Sequence, residues 1–309
     1  MNKVYNKVKW QVKNKIIRLT NSRKKIVDKD KIFVFGSGRS GTNWVSDLIA
    51  QSIEAVVIHE PLKVNNSKRV QEVGFTGWGQ YIPEQDTNWS EAFLFFEDLL
   101  NGKTINPNHL KGSLIDYCQK HTLLYRFIGG NLLMPWVIQN FRLSYKPIFI
   151  LRNPYSVVAS QLNHPAWYSK RTTFPVAIPK FRYYDVFYSQ YQPLFSIVRN
   201  RVEMFTAMWV LQNESIINNS AAHNWITVQY ERLFVDPQIE MKNLLKKLGI
   251  SSQREVNPNI ESKSVITPLV HNQQLKYKAS LKEEEIDNIT RILAASKIPE
   301  SFYEPFATS

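Results

Sequence analysis

From residue 31 onward, short apolar runs alternate with longer stretches in which apolar residues recur every three or four positions. That rhythm predicts parallel strands joined by amphipathic helices. The run "KIFVF" (31–35) reads as a buried strand, and beyond a glycine-rich turn Val45, Leu48, Ile49 and Ser52 share one helical face. "EAVVIHEP" (54–61) reads as a second strand stopped by Pro61, "TLLYRFI" (122–128) as a third, and "KPIFILRNP" (146–154) as a fourth. Asn153 can cap the helix after the fourth strand, with Pro154 at its first position. "NWITVQYERL" (224–233) alternates as a strand would, and "DPQIEMKNLLKKLG" (236–249) reads as a helix capped by Asp236 and stopped by Gly249. Ser280 and Glu283 form a capping-box pattern ahead of Ile286, Ile289 and Leu293. Residues 62–118 and 163–195 break the rhythm and are rich in aromatics and proline, including Trp78, Trp89, Trp167, Tyr168, Tyr183 and Tyr184. Long irregular connections of this kind serve as lids or binding walls, or simply pack.

The 309 residues, 43% of them hydrophobic, suffice for a full core, and no internal repeat divides them. The expectation is a single α/β domain over 31–309, a P-loop-type parallel sheet flanked by helices, preceded by a basic helical arm over 1–30. One cysteine, Cys118, allows no intrachain disulfide, which favours a reducing compartment or simply a chain that needs no staple. With no apolar run of about 18 residues and no signal-peptide segment, a cytoplasmic location is expected, with peripheral contact at the inner membrane surface as an extension of it. The net charge of +13 is unevenly placed: residues 1–31 carry eleven Lys or Arg and two Asp, whereas the remainder carries 28 basic and 24 acidic side chains. The body is therefore no platform for nucleic acid. In the arm, Tyr5, Val8, Val12, Ile16 and Leu19 recur in steps of three and four, which suits a helix lying on an anionic membrane or one packed on its own domain.

The candidate chemistry starts at "IFVFGSGRSGTNW" (32–44). A strand, a glycine turn and a helix start direct backbone N–H groups and the positive end of a helix dipole at one point, which makes an anion site. Gly36 and Gly41 stand at the two glycines of the G-x-x-x-x-G-K-[ST] pattern, but Thr42 occupies the lysine position and Asn43 the hydroxyl position. The ammonium for terminal phosphates and the magnesium ligand are both missing, which disfavours ATP hydrolysis while keeping phosphate binding.

"GSGRSGTNW" resembles the 5′-phosphosulfate loop of sulfotransferases that use 3′-phosphoadenosine 5′-phosphosulfate, PAPS. The resemblance implies that Arg39 contacts the phosphosulfate, that Ser40, Gly41, Thr42 and Asn43 supply backbone and hydroxyl donors, and that Trp44 stacks on adenine. Asn43 departs from the usual Thr or Ser. "LRNPYSVVAS" (151–160) resembles the family's 3′-phosphate signature, with Arg152 and, eight positions later, Ser160. "VQYERLFVDPQIEMKNLLKKLGI" (228–250) resembles its late strand and helix, which would bring Tyr230 toward adenine; Arg232 stands where an acidic residue is usual. The likeness runs from about 31 to 295 but leaves the two irregular stretches unmatched.

The implied reaction moves a sulfuryl group from PAPS to an acceptor hydroxyl, with Arg39 stabilising charge on the leaving phosphate. Sulfuryl carries less negative charge than phosphoryl, so no metal is expected. A hydroxyl nucleophile needs a base, and "HEP" resembles the Glu-Pro segment of carbohydrate-modifying and bacterial members, which implies Glu60. His59 is the competing base, and strand alternation would let only one of the two face the site. The same analogy points to a glycan or glycolipid acceptor. Arg126 reads either as a further cation over the sulfuryl group or as a solvated surface charge, and Lys276 and Lys278 either as a closing basic segment or as surface charge. The competing functions are a divergent P-loop kinase and a non-catalytic nucleotide-binding module recruited to membranes.

Overall fold

The computed structural model describes residues 2–23, 29–63, 68–103, 105, 107–165, 173–251, 254–258 and 276–303. Six strands form one sheet: β1 (Asp30–Gly36), β2 (Val56–His59), β3 (Leu110–Lys111), β4 (Thr122–Ile128), β5 (Ile148–Leu151) and β6 (Ile226–Gln229), in the order β3-β2-β4-β1-β5-β6. All neighbours are parallel except β2 and β3. Helices α1 (Asn2–Arg23) and α2 (Thr42–Ile53) flank β1 in sequence, and α3 (Lys68–Val73), α4 (Ser90–Leu100) and α5 (Leu114–Gln119) lie between β2 and β4. Next come α6 (Met134–Asn140) and α7 (Pro154–Leu162) around β5, then α8 (Gln192–Ser196) and α9 (Arg201–Ile217) before β6. Beyond β6 follow α10 (Tyr230–Val235), α11 (Pro237–Leu248), α12 (Lys276–Ser280) and α13 (Glu283–Ala294).

The expected parallel α/β sheet is present, and its central strand shows why the apolar runs were continuous. On β1, Ile32 and Val34 pack with Val45, Leu48 and Ile49 of α2 and Leu244 of α11, while Phe33 and Phe35 pack on the other face with Phe96, Tyr125 and Phe127. A strand covered on both faces needs apolar residues at every position. Because β1 leaves to β2 on one side while β5 lies on the other, the carboxyl ends of β1 and β5 flank a topological switch point, where open α/β sheets place their crevice.

Several elements differ from expectation. The two-residue β3 makes the third and fourth strands β4 and β5. The late strand stops at Gln229, and Tyr230 opens a helix. Asp236 and Gly249 cap α11 as read, but α13 starts at Glu283 with Lys282 and Glu285 at its cap, and Ser280 ends α12. The irregular stretches largely pack as core: Trp89 is buried with Nε1 donating to Val73, and the Tyr183 hydroxyl donates to Asp86. Trp167 and Tyr168 lie outside the described residues.

The arm is a helix that docks on its own domain. Ile17 is 1% exposed, Asn21 Nδ2 donates to the Gly102 carbonyl, and the Tyr117 hydroxyl donates to Asn21. Among the described residues, no helix is long and apolar enough to cross a membrane.

Candidate active site

Two clusters stand at the carboxyl ends of the strands. The first is built on the β1–α2 loop. Gly36 has no room for a side chain, since a Cβ there would meet Thr42 and Ser40. Gly41 takes φ 83 and lies directly under the Tyr230 ring, so both its conformation and its closeness require glycine. Ser40 tightens the turn by donating from N (3.1 Å) and Oγ (2.7 Å) to the Ser37 carbonyl. The first N–H groups of α2, at Thr42, Asn43 and Trp44, have no partner within a helix that starts at Thr42 and open toward the turn.

Arg39 also has a left-handed backbone, φ 73, which turns its carbonyl toward β5. There Arg152 Nη1 donates to that carbonyl at 3.0 Å, while Arg39 Nε donates to Ser160 Oγ at 2.9 Å. Asn153 caps α7 by accepting from the Tyr155 N–H, which fixes the helix that carries Ser160. The Arg152 guanidinium lies over the Tyr230 ring, 4.4 Å from its centroid, and Tyr230 meets Trp44 edge to face at 5.6 Å. Burial, and then the adjacent Arg152, lower the Arg39 guanidinium below its ordinary value. Among the described residues neither arginine makes an ion pair with a carboxylate, and Arg152 Nε is buried with no partner. Glu231 is nearby, but its carboxylate accepts from the Asn153 N–H, and burial raises it above the usual carboxylate range. Glu231 interacts electrostatically with Arg152 but forms no ion pair with either guanidinium, so the two adjacent cations call for an anion.

The second cluster is built on β2, β3 and β4. β2 ends at His59, and Glu60 turns out of it with φ 46 while its N–H donates to the Arg126 carbonyl. The left-handed residue breaks strand alternation. As a result His59 and Glu60 face the same place, with His59 Nε2 and Glu60 Oε1 3.4 Å apart, contrary to the expectation that only one could do so. Arg126 Nη2 lies 3.1 Å from His59 Nε2 and 3.8 Å from Glu60 Oε1, and Lys63 Nζ lies 3.4 Å from Glu60 Oε2. Arg126 is 1% exposed, so the surface-charge reading is corrected; burial pushes its guanidinium down to about 10, opposed by Asp47 of α2. Asp47 itself is paired with Lys111.

The chain matches the sulfotransferase domain family over residues 29–297. It belongs to the sulfotransferase family. Among solved structures it is similar to mouse sulfotransferase SULT7A1 complexed with PAP (14% identity, 92% of this chain and 93% of that chain, TM-score 0.44). It is also similar to the sulfotransferase domain from the Synechococcus PCC 7002 olefin synthase (12% identity, 88% and 97%, TM-score 0.39) and to that from the curacin biosynthetic pathway (15% identity, 88% and 99%, TM-score 0.43). No curated protein matches.

In this sulfotransferase the motif residues Arg39, Ser40, Gly41, Thr42, Asn43, Trp44, Arg152, Ser160 and Tyr230 come together around one turn. The loop and the Arg152–Ser160 segment form one hydrogen-bonded unit, because the Arg39 side chain reaches Ser160 and Arg152 reaches the Arg39 carbonyl. Trp44 and Tyr230 are both buried and packed against each other, and Trp44 Nε1 donates to the Pro258 carbonyl. Lys278 is exposed and the Lys276 side chain lies outside the described residues. Sequence reasoning missed His109. The β2–β3 register pairs Ile58 with Leu110, which puts the preceding His109 beside His59, where it is buried. Burial lowers His109, while Glu60 opposes the shift and Lys63 adds to it. Its only sequence signal, a histidine ahead of an apolar-basic pair, carries no information without the pairing.

Proposed function

We propose that this sulfotransferase moves the sulfuryl group of PAPS to a hydroxyl of a glycan or glycolipid acceptor without a metal ion. The observation that supports it best is the Arg39–Ser160–Arg152 unit at the loop mouth, a paired cation site with an unpartnered buried Arg152 Nε. Such a site suits a nucleotide with phosphates at both ends. Arg152 and Ser160 would hold the 3′-phosphate. Arg39 and the backbone of Ser40, Gly41, Thr42 and Asn43 would hold the phosphosulfate, with Trp44 and Tyr230 at the adenine end. When bound, PAPS supplies the activated sulfuryl group.

Glu60 takes the proton of the acceptor hydroxyl. Its contacts to Lys63 and Arg126, at 3.4 and 3.8 Å, are long enough to leave carboxylate lone pairs for an incoming O–H. His59 Nε2 accepts from Arg126 Nη2 and so holds the guanidinium beside the carboxylate, leaving Glu60 as the base. Three buried atoms of this cluster, His59 Nδ1, His109 Nε2 and Arg126 Nε, have no partner among the described residues. The glycan assignment rests on the resemblance of "HEP" to the Glu-Pro segment of carbohydrate-modifying members.

The test is a screen of free sugars, glycolipids and phenols with radiolabelled PAPS in the presence of EDTA, alongside Glu60→Gln. The expected result is transfer to a sugar hydroxyl that survives the chelator. Glu60→Gln should lose about 10²–10⁴-fold in kcat with nucleotide affinity retained. Full activity in Glu60→Gln would remove the base, and transfer to phenols alone would remove the acceptor class.

A further inference from the structure

Helix α1 carries apolar residues on two faces, and one of them packs on the domain. Ile17 is buried at 1% exposure, and Thr20 and Asn21 on the same side bond to Cys118, Gly102 and Tyr117. Val8 and Val12 stand one turn apart, with Leu19 two turns further along the same stripe, about half a revolution from Ile17. They are 51%, 53% and 46% exposed. Lys9 and Lys15 flank the stripe on either side with Arg18 beyond, and all three are exposed. Residues 1–31 as a whole carry eleven basic and two acidic side chains. An outward apolar stripe bordered by cations complements one kind of surface, a lipid interface bearing negative headgroups.

The helix is also fixed in place relative to the catalytic cluster. It packs against the turn Pro107–His109 and against α5. That turn carries His109 beside His59 and Glu60. We infer that the outer face of α1 seats the protein on an anionic membrane, and that the seat brings the Glu60 cluster to acceptor hydroxyls displayed on an amphiphile at that surface. The second half deepens the acceptor assignment above and rests on it; the first half does not. The stripe keeps the lipid-bound helix parallel to the interface, and the Ile17 side keeps the catalytic domain attached to it. A freely dissolved sugar would gain nothing from this seat.

The experiment uses the full chain and sedimentation with vesicles of phosphatidylcholine alone or mixed with phosphatidylserine. Wild type is expected to bind the mixed vesicles and to be released by salt. Val8→Asp/Val12→Asp should reduce partitioning at least tenfold. Lys15→Glu/Arg18→Glu should reduce it by more than about twentyfold, each lost cation near an anionic surface being worth about fivefold. Both variants alter exposed side chains outside the active site, so the thermal midpoint and the affinity for adenosine 3′,5′-bisphosphate should stay at wild-type values. Equal partitioning of wild type and both variants, no preference for phosphatidylserine, or tighter salt-sensitive binding to duplex DNA than to vesicles would overturn the membrane seat. For the acceptor, a glycolipid substrate identified in the screen should turn over faster in mixed vesicles than in phosphatidylcholine vesicles, and the difference should vanish in Val8→Asp/Val12→Asp. Equal rates would overturn that half. Vesicle binding that persists in a protein with no affinity for the bisphosphate would instead count against the PAPS reading and leave the seat standing.

Discussion

Arg152→Ala is the sharpest perturbation of the donor site. The guanidinium spends Nη1 on the Arg39 carbonyl at 3.0 Å and one face on the Tyr230 ring, while Nε is buried without a partner. On the proposed assignment its remaining donors are those that would meet the 3′-phosphate. Two charge-assisted hydrogen bonds at about 1.5–3 kcal/mol each give a gross loss of about 3–6 kcal/mol. Part of this is offset, because removing one cation relieves the repulsion that contributes to the lowered Arg39. A net loss of about 2–4 kcal/mol corresponds to about 30- to 1000-fold weaker binding of adenosine 3′,5′-bisphosphate. Adenosine 5′-phosphosulfate lacks the 3′-phosphate, so its affinity should change by less than about threefold on the same scale. Titration calorimetry with both nucleotides reads the difference directly. Arg152→Lys, which keeps the charge but not the fork, should fall between. Equal losses for the two nucleotides would mean that the substitution acts by letting Tyr230 and the loop collapse, and the 3′-phosphate assignment would fail.

Two further substitutions test the scaffold around the site. Gly41→Ala forces a Cβ into the Tyr230 ring at a residue with φ 83; it should cost about 2 kcal/mol or more in thermal unfolding and weaken nucleotide binding. A variant of unchanged midpoint and affinity would show that the loop tolerates a different path. Glu203 of α9 is fully buried; burial alone would raise its carboxyl, but hydrogen bonds from Arg199 and Arg291 outweigh that and hold it below its ordinary 4.5. A depressed carboxylate contributes stability that is complete above its unfolded value and is lost as pH falls through the folded one. Glu203→Gln should therefore lower stability by about 3 kcal/mol at neutral pH and flatten the acid loss below pH 4.5, read by urea unfolding across pH. An acid profile unchanged by the substitution would place the titrating group elsewhere.

Much of the framework was legible in the chain, for local reasons. β1 and β5 are covered on both faces, so burial wrote itself as nearly continuous apolar runs, and Asn153, Pro154, Asp236 and Gly249 mark helix ends through backbone chemistry that acts within a few residues. The pairing of Arg152 with Ser160 was legible only through the resemblance of "LRNPYSVVAS" to a family signature; the fold realises that spacing with a strand end and the following helix. Other features depended on partners far away in sequence. Tyr230 opens a helix instead of continuing the strand, with its ring packed on Gly41, a residue far away in sequence, and alternation could not register the left-handed turn at Glu60. Arg126 looks like any strand-end cation until α2 and β2 cover it, and His109 acquires a neighbourhood only through two residues of antiparallel pairing. Local periodicity and capping thus determined the layers and the motif loops. The side-chain clusters that define the chemistry were decided only in three dimensions, because the desolvation and pairing that tune a charge come from whichever residues the tertiary fold brings against it.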